Sequence, residues 1–415
     1  MKRQLLHTPE GVRDIYNDEC EKKMLLQDQL YHILRLHGYH PIQTPTFEFF
    51  DIFGREIGTT PSKDLYKFFD REGNTLVLRP DITPSIARCA AKYFGEEELP
   101  IRLCYMGNTF INNSSYQGRL KECTQLGAEL LGDPSVDADA EMISMVISCL
   151  KAAGLKEFQL SIGHADFFRG LMEAAGLLEE QEEELRELIS NKNFFGVEEF
   201  VETLNLEENL KNLFGMLGNL YTGSDELSAA RECAASYPRI LKAIGDLEEL
   251  HKILEVYEVS RYVSFELGTI SNYQYYTGII FAGYTFGSGE AIVKGGRYDR
   301  LLTCFGKDSA SIGFAFVIDQ LMAALQRQKI DVPVERCVEL MVYKSAKRQK
   351  AITAAATARA AGRCVELISR KNHMPVSYIP LYYPWDRNII LLFFLHNPII
   401  CVFFHFDLAT QNQVP

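Results

Sequence analysis

Between residues 166 and 258 the apolar positions recur at helical spacing throughout, while the segments on either side carry short β-branched and aromatic runs. A chain so arranged builds its sheet from strands on both sides of a helical insertion, which is an α+β plan. Residues 76–78, 101–105, 128–131 and 158–162 read as strands, and residues 263–267, 278–284 and 291–294 resume the sheet. Helices are expected over 19–37, where Leu26, Leu30, Ile33 and Leu34 share a face and Gly38 is the C-cap, and over 84–94, 138–153 and 317–326. The acidic run 179–187 has one apolar face in Leu185, Leu188 and Ile189, so its carboxylates read as a solvated helix side.

After residue 331 a smaller unit begins: a strand at 338–343, an Ala-rich helix at 346–361 ended by Gly362, and a strand at 364–368. That is one βαβ unit. Beyond Lys371 glycine is absent, only Asp386, Arg387 and Asp407 carry charge, and aromatic, Ile and Pro residues crowd around Trp385. A half-finished α/β domain should next supply an amphipathic helix, and this stretch is not one. It reads as an aberrant terminus, with a buried apolar strand pair as the alternative. The expected organisation is a core over 1–330 with its insertion at about 166–258, a partial α/β unit over 331–370, and an atypical apolar tail over 371–415.

Net charge is −12, whereas phosphate-rich partners call for clustered Lys and Arg, so nucleic acid is not the expected main partner. Ten cysteines are scattered without a CxxC pair or a Cys/His spacing suited to zinc, so no metal or cofactor is expected. Such thiols fit a reduced, cytoplasmic setting. No apolar run reaches the ~18 residues of a membrane span, and the basic start has no apolar segment behind it, so neither a membrane anchor nor a signal peptide is expected.

Six segments, in order, carry a resemblance. Thr8-Pro9-Glu10-Gly11-Val12-Arg13-Asp14 opens the chain; Gly38 to Glu48 contains Pro45; Leu78-Arg79-Pro80-Asp81-Ile82-Thr83 follows. Then come Gly118-Arg119 with Gln125-Leu126-Gly127-Ala128-Glu129, Tyr275-Tyr276-Thr277, and Gly295-Gly296-Arg297-Tyr298-Asp299. Together they resemble histidyl-tRNA synthetase over about residues 8–325. The resemblance implies a class II synthetase fold, an antiparallel sheet flanked by helices, with a homodimer built on the segment around Pro45.

Three departures bear on chemistry. Where the family carries arginines that clamp phosphates, this chain has Ile111, Ser271 and Gln320. Making an aminoacyl-adenylate brings a carboxylate onto an α-phosphate, so cations must stabilise the transition state. Losing three would raise the barrier by more than roughly 6 kcal/mol even with strong non-additivity, about 10⁴ in rate. No catalytic residue is therefore expected.

The amino-acid pocket implied by the same resemblance is kept. Asp81, Thr83 and Gln125 would take an α-ammonium, an ionised Glu129 would accept an imidazole N–H, Tyr276 would meet the ring's other edge, and Tyr275 and Tyr298 would wall the slot. Arg79, Arg119 and Arg297 either touch a ligand or hold loops by hydrogen bonds, and His164 reads as structural. A synthetase core without its arginines, with Asp81-Ile82 where true synthetases carry Glu-Gly, is similar to the regulatory subunits of ATP phosphoribosyltransferase. That implies a non-catalytic subunit that partners a short catalytic subunit in a hetero-oligomer and senses L-histidine for feedback inhibition. The alternatives are an active histidyl-tRNA synthetase and a histidine-binding module of another pathway.

Overall fold

Leucines spaced four apart, Leu26, Leu30 and Leu34, give α1 (Asn17–Leu36) one fully buried stripe. The helix ends where Gly38 takes a φ of 81°, and Gly38 N–H donates to Arg35 O while Tyr39 N–H donates to Leu34 O. This computed structural model describes residues 6–54, 60–94, 100–113, 120–269, 275–334, 338–370, 389–394 and 400–404. The chain divides into two units, Met1–Val332 and Pro333–Pro415.

In the first unit α1 leads into the edge strand β1 (His40–Pro41). A small antiparallel sheet follows, β2 (Phe47–Phe49), β3 (Lys67–Phe69) and β4 (Thr75–Leu78), with β4 in the middle. Next come α2 (Thr83–Tyr93), the long hairpin β5 (Ile101–Phe110) and β6 (Glu122–Leu131), α3 (Val136–Ala152) and β7 (Phe158–His164). The insertion then runs through α4 (Ala165–Ala175), α5 (Glu179–Ser190), α6 (Phe194–Glu202), α7 (Glu208–Gly215), the two-residue β8 (Leu220–Tyr221), α8 (Ser228–Cys233) and α9 (Pro238–Val256). The chain returns as β9 (Val263–Glu266), β10 (Ile279–Thr285), β11 (Val293–Arg297), β12 (Ser311–Val317) and α10 (Ile318–Arg327).

The main sheet has the order β1-β5-β6-β12-β11-β10-β7-β9-β8. From β5 to β7 every neighbouring pair is antiparallel; β1 on β5 and β9 on β7 are parallel. This is the α+β architecture expected, with strands from both sides of the insertion in one sheet. Two details differ. The insertion is not wholly helical, because Leu220–Tyr221 pairs with β9. And β12, unremarked in the sequence, lies at the centre: Gly313 and Ala315 make one of its faces too small to read as apolar alternation.

Strand alternation divides the sheet's two faces. Leu126, Ala128 and Leu130 of β6, Phe314 and Phe316 of β12 and Val293 of β11 point into the large core shared with α1, α3 and α9. Leu103 and Tyr105 of β5 and Ile280 of β10 point the other way, into a smaller cluster with Ile82, which caps α2, and Ile86 and Ala90 within it. The candidate site lies on this second face. Among the described residues no helix is long and apolar enough to cross a membrane.

In the second unit β13 (Val338–Lys344), α11 (Arg348–Ala360) and β14 (Cys364–Arg370) form the βαβ unit read from the sequence, with β13 and β14 parallel. Where an aberrant terminus was expected, β15 (Ile389–Phe394) pairs parallel with β13 and β16 (Ile400–Phe404) antiparallel with β15. The strand-pair alternative describes these residues, since six or fewer apolar residues suit a strand better than a helix. The rest of the tail, Trp385 included, lies outside the described residues.

Candidate functional site

Register brings the expected residues together. On β6, Gln125, Gly127 and Glu129 point to one face, opposite Gly107, Tyr105 and Leu103 of β5 and Val317, Ala315 and Gly313 of β12. Beyond β12, Gly296 of β11 pairs with Gly313 and Lys294 with Ala315. The centre of this face is therefore a shallow trough of small residues, Gly107, Gly127, Gly296, Gly313 and Ala315, between longer side chains. Gly313 is required: a Cβ there would collide with Glu129 Oε2, and one at Gly127 would stand 2.6 Å from the Tyr105 hydroxyl.

Glu129 is 1% exposed. Thr83, in the first turn of α2, donates its hydroxyl to Glu129 Oε1 at 2.7 Å, and Tyr298 donates to Oε2. Burial pushes the Glu129 pKa up to about 8, against the hydrogen bonds from Tyr298 and Thr83, and the nearby charge of Asp81 adds to the rise. At neutral pH burial therefore favours the protonated carboxyl, whereas the expectation of an ionised Glu129 concerns its contact with an imidazole. Desolvation outweighs two hydroxyl donors. Thr83, expected at an ammonium, donates to Glu129, and Tyr298, expected to wall the slot, also holds that carboxyl.

The aromatic residues form a tilted stack. Tyr275 lies 4.8 Å from Tyr276 and 5.7 Å edge-on from Tyr298, centroid to centroid. Tyr276 can lie flat because Gly296 has no side chain; a Cβ there would meet its ring at 2.8 Å. The two motifs bearing these tyrosines are tied to one another. Thr277 N–H donates to Arg297 O at 2.7 Å, the Thr277 hydroxyl bonds Asp299 Oδ2 at 3.0 Å, and Asp299 Oδ1 accepts from Ser311 N–H at 2.9 Å.

Two side chains on this face have poorly satisfied polar atoms. Among the described residues the buried Gln125 Oε1 has no hydrogen-bond partner, and the buried Tyr105 hydroxyl stands beside Thr83 and Glu129 without a well-formed bond to either. Such atoms cost stability unless a ligand or water meets them. The sequence reading missed Tyr105, although alternation from Glu129 across the β5–β6 hairpin would have placed it in the same pocket. Asp81 stands at the entry to α2, its Oδ1 accepting from Ile82 N–H at 2.8 Å.

The described arginines of these motifs are occupied by structure. Arg79 donates to Asn108 O at 2.8 Å and to Thr44 O at 2.9 Å, holding the small sheet against β5. Arg297 makes two bonds to Asp139 of α3, at 2.9 and 2.6 Å, and others to Asp133 O and Ser135 O. Arg119 and Ser271 lie outside the described residues. Ile111 is half-buried and bonds Lys121 O through its N–H, and Gln320 stands in the first turn of α10 beside Asp319. Asp319 accepts from Lys23 Nζ at 2.8 Å and Thr124 N–H at 2.7 Å. His164 caps α4, its Nδ1 accepting from Asp166 N–H at 3.2 Å, a structural role.

A family model described as histidyl-tRNA synthetase matches residues 11–321. An ATP phosphoribosyltransferase regulatory subunit of Acetivibrio thermocellus is 41% identical, over 87% of this chain and 86% of its own. This chain belongs to the synthetase-like family of ATP phosphoribosyltransferase regulatory subunits. A second relative of that name, from Ruminiclostridium cellulolyticum, is 40% identical over 86% of this chain and 85% of its own. Among solved structures, a regulatory subunit/histidyl-tRNA synthetase from Bacillus halodurans superposes with a TM-score of 0.82 at 32% identity, covering 93% of this chain and 98% of that one. A histidyl-tRNA synthetase from Nostoc sp. PCC 7120, at 18% identity and a TM-score of 0.77 over 94% of this chain and 91% of that one, shares the fold.

Proposed function

We propose that this chain is a non-catalytic, regulatory subunit of an ATP phosphoribosyltransferase in histidine biosynthesis, and that it binds free L-histidine in the Glu129 pocket. The observation that carries the reading is an asymmetry. The ring end of the pocket is fully built, with Glu129, Thr83, Tyr298 and Tyr276 packed together, while Ile111 and Gln320 stand where phosphate chemistry needs cations. Arg79 and Arg297, the described arginines within the pocket motifs, are spent on backbone carbonyls and Asp139. A pocket of this kind can select an imidazole, whose N–H and ring nitrogen need fixed partners, but it cannot drive attack on ATP.

In this reading the partner is a short catalytic subunit, the assembly is a cytoplasmic hetero-oligomer containing a homodimer of this chain, and tRNA is not a ligand. The small sheet supports an interface role: Phe47, Phe49 and Phe68 leave an exposed apolar face, with Phe47 and Phe68 edge-to-face at 5.8 Å. The test is reconstitution. The chain alone should neither exchange pyrophosphate into ATP in the presence of histidine nor charge tRNA. Added to a short catalytic subunit, it should raise formation of product from ATP and phosphoribosyl pyrophosphate, and histidine should inhibit the mixture. Pyrophosphate exchange at synthetase-like rates would overturn the assignment; no co-elution and no change in rate would leave only a stand-alone histidine-binding module.

A further inference from the structure

A free amino acid is a zwitterion, and its carboxylate needs a donor once it enters a partly desolvated trough. The described arginines of the site are occupied, yet one cation on the same sheet face is not. Lys294 of β11 lies in the row Tyr105–Gly127–Ala315–Lys294, which runs straight across β5, β6, β12 and β11. Its neighbours in sequence, Val293 and Gly295, face the opposite core, where a Cβ at Gly295 would strike the Phe281 ring. Lys294 therefore rises from the trough side. It is exposed, and among the described residues it has no hydrogen-bond or ion-pair partner.

The groups that flank the trough carry opposite charge. Asp81 enters from the β5 side, where the adjoining Ile82 packs 3.4 Å from the Cβ position of Gly107. Lys294 stands on the β11 side, two strands from Gly127, a backbone separation of about 10 Å that its four-carbon stem partly spans. Among the described residues of this row, Gly127, Ala315 and the Tyr105 hydroxyl lie between them. We propose that Lys294 holds the α-carboxylate of the bound amino acid, so that the ligand lies across the strands with its ammonium toward Asp81 and its ring toward Glu129. This rests on the reading of the pocket as a histidine site. It places the anion-binding group on a strand, not at any of the three positions where the synthetase resemblance expects an arginine.

Calorimetric titration of the full chain with L-histidine and with L-histidinol, whose carboxylate is replaced by an alcohol, tests the proposal. Lys294→Ala should weaken histidine by roughly 10- to 150-fold and leave the weaker binding of histidinol unchanged; Lys294→Arg should restore most of the histidine affinity. Glu129→Gln should weaken both ligands alike. Equal losses for the two ligands in Lys294→Ala, or none for histidine, overturn the proposal while Glu129 dependence still upholds the pocket. Wild type that binds neither ligand overturns the pocket reading, and the proposal with it.

Discussion

Replacing Glu129 by Gln removes a carboxyl that burial holds protonated up to about pH 8, against an ordinary value of 4.5. Between those two values the folded chain keeps a proton that the unfolded chain has released. Stability contributed by that proton is therefore complete below 4.5 and is lost as the pH rises through 8. From about pH 5.5 to about pH 8.5 the wild-type chain should lose about 3 kcal/mol through this one group, at 1.36 kcal/mol per pH unit. Asp139 is buried as well, but it is paired with Arg297 and common to both proteins, so it drops out of the comparison. The assay is urea unfolding of the first unit followed by circular dichroism across that range, for wild type and Glu129→Gln. The amide keeps the shape and an acceptor for Thr83 or Tyr298, so the variant should fold and show a shallower fall with pH. Its stability relative to wild type should improve by about 3 kcal/mol between the two ends. Parallel curves would show that Glu129 ionises normally, and the argument from desolvation would fail.

Other consequences can be measured directly. Gly313→Ala should displace Glu129, cost about 1–3 kcal/mol of stability and abolish histidine binding in calorimetry. Arg297→Ala leaves Asp139 buried without its partner, so the denaturant midpoint should fall by the equivalent of about 3–5 kcal/mol, while Arg297→Lys should recover only part of that. Histidine affinity should be greatest between the ligand's imidazole pKa, about 6.5, and the Glu129 pKa. The complex holds one proton between ring and carboxyl, so acid adds one too many and alkali removes the one needed; Glu129→Gln should lose the alkaline limb set by that carboxyl. Truncation after Ser369 should strip β13 of its β15 partner; proteolysis should then degrade the second unit and spare the first.

The element order was legible because it depends on local chemistry, as Leu26, Leu30 and Leu34 announce α1. The pocket's motifs were legible through the resemblance they carry, Gly295-Gly296-Arg297-Tyr298-Asp299 among them. What was not legible depends on partners far along the chain. Thr83 and Glu129 are 46 residues apart, and only the fold shows that the threonine hydroxyl is spent on the carboxyl rather than on a ligand. The protonation of Glu129 is likewise a property of its enclosure by β5, β12 and α2, which no motif records. β12 was missed for a related reason: the small residues that make room for the site also erase the apolar alternation by which a strand is recognised. Tyr105 was recoverable from register alone, and the tail from the length of its apolar runs.

A sensor has to bind its signal better in one state of the assembly than in another, since equal affinity shifts nothing. The Glu129 pocket has the parts for such a difference. Its walls come from four separate stretches of chain, α2, the β5–β6 hairpin, the 275–277 segment and the β11–β12 turn, and Glu129 is held by two of them through Thr83 and Tyr298. A histidine that takes the place of either hydroxyl must change how α2 or the 298 segment bears on the sheet. α2 packs directly beneath the turn at Leu301 and Leu302, and Asp299 ties that same turn to Thr277 and Ser311. A ligand contact at Glu129 thus reaches several surface segments through buried hydrogen bonds, without any catalytic group taking part. On the proposed reading, a pocket that binds its ligand without phosphate-binding cations leaves the binding energy to act on conformation rather than on a transition state.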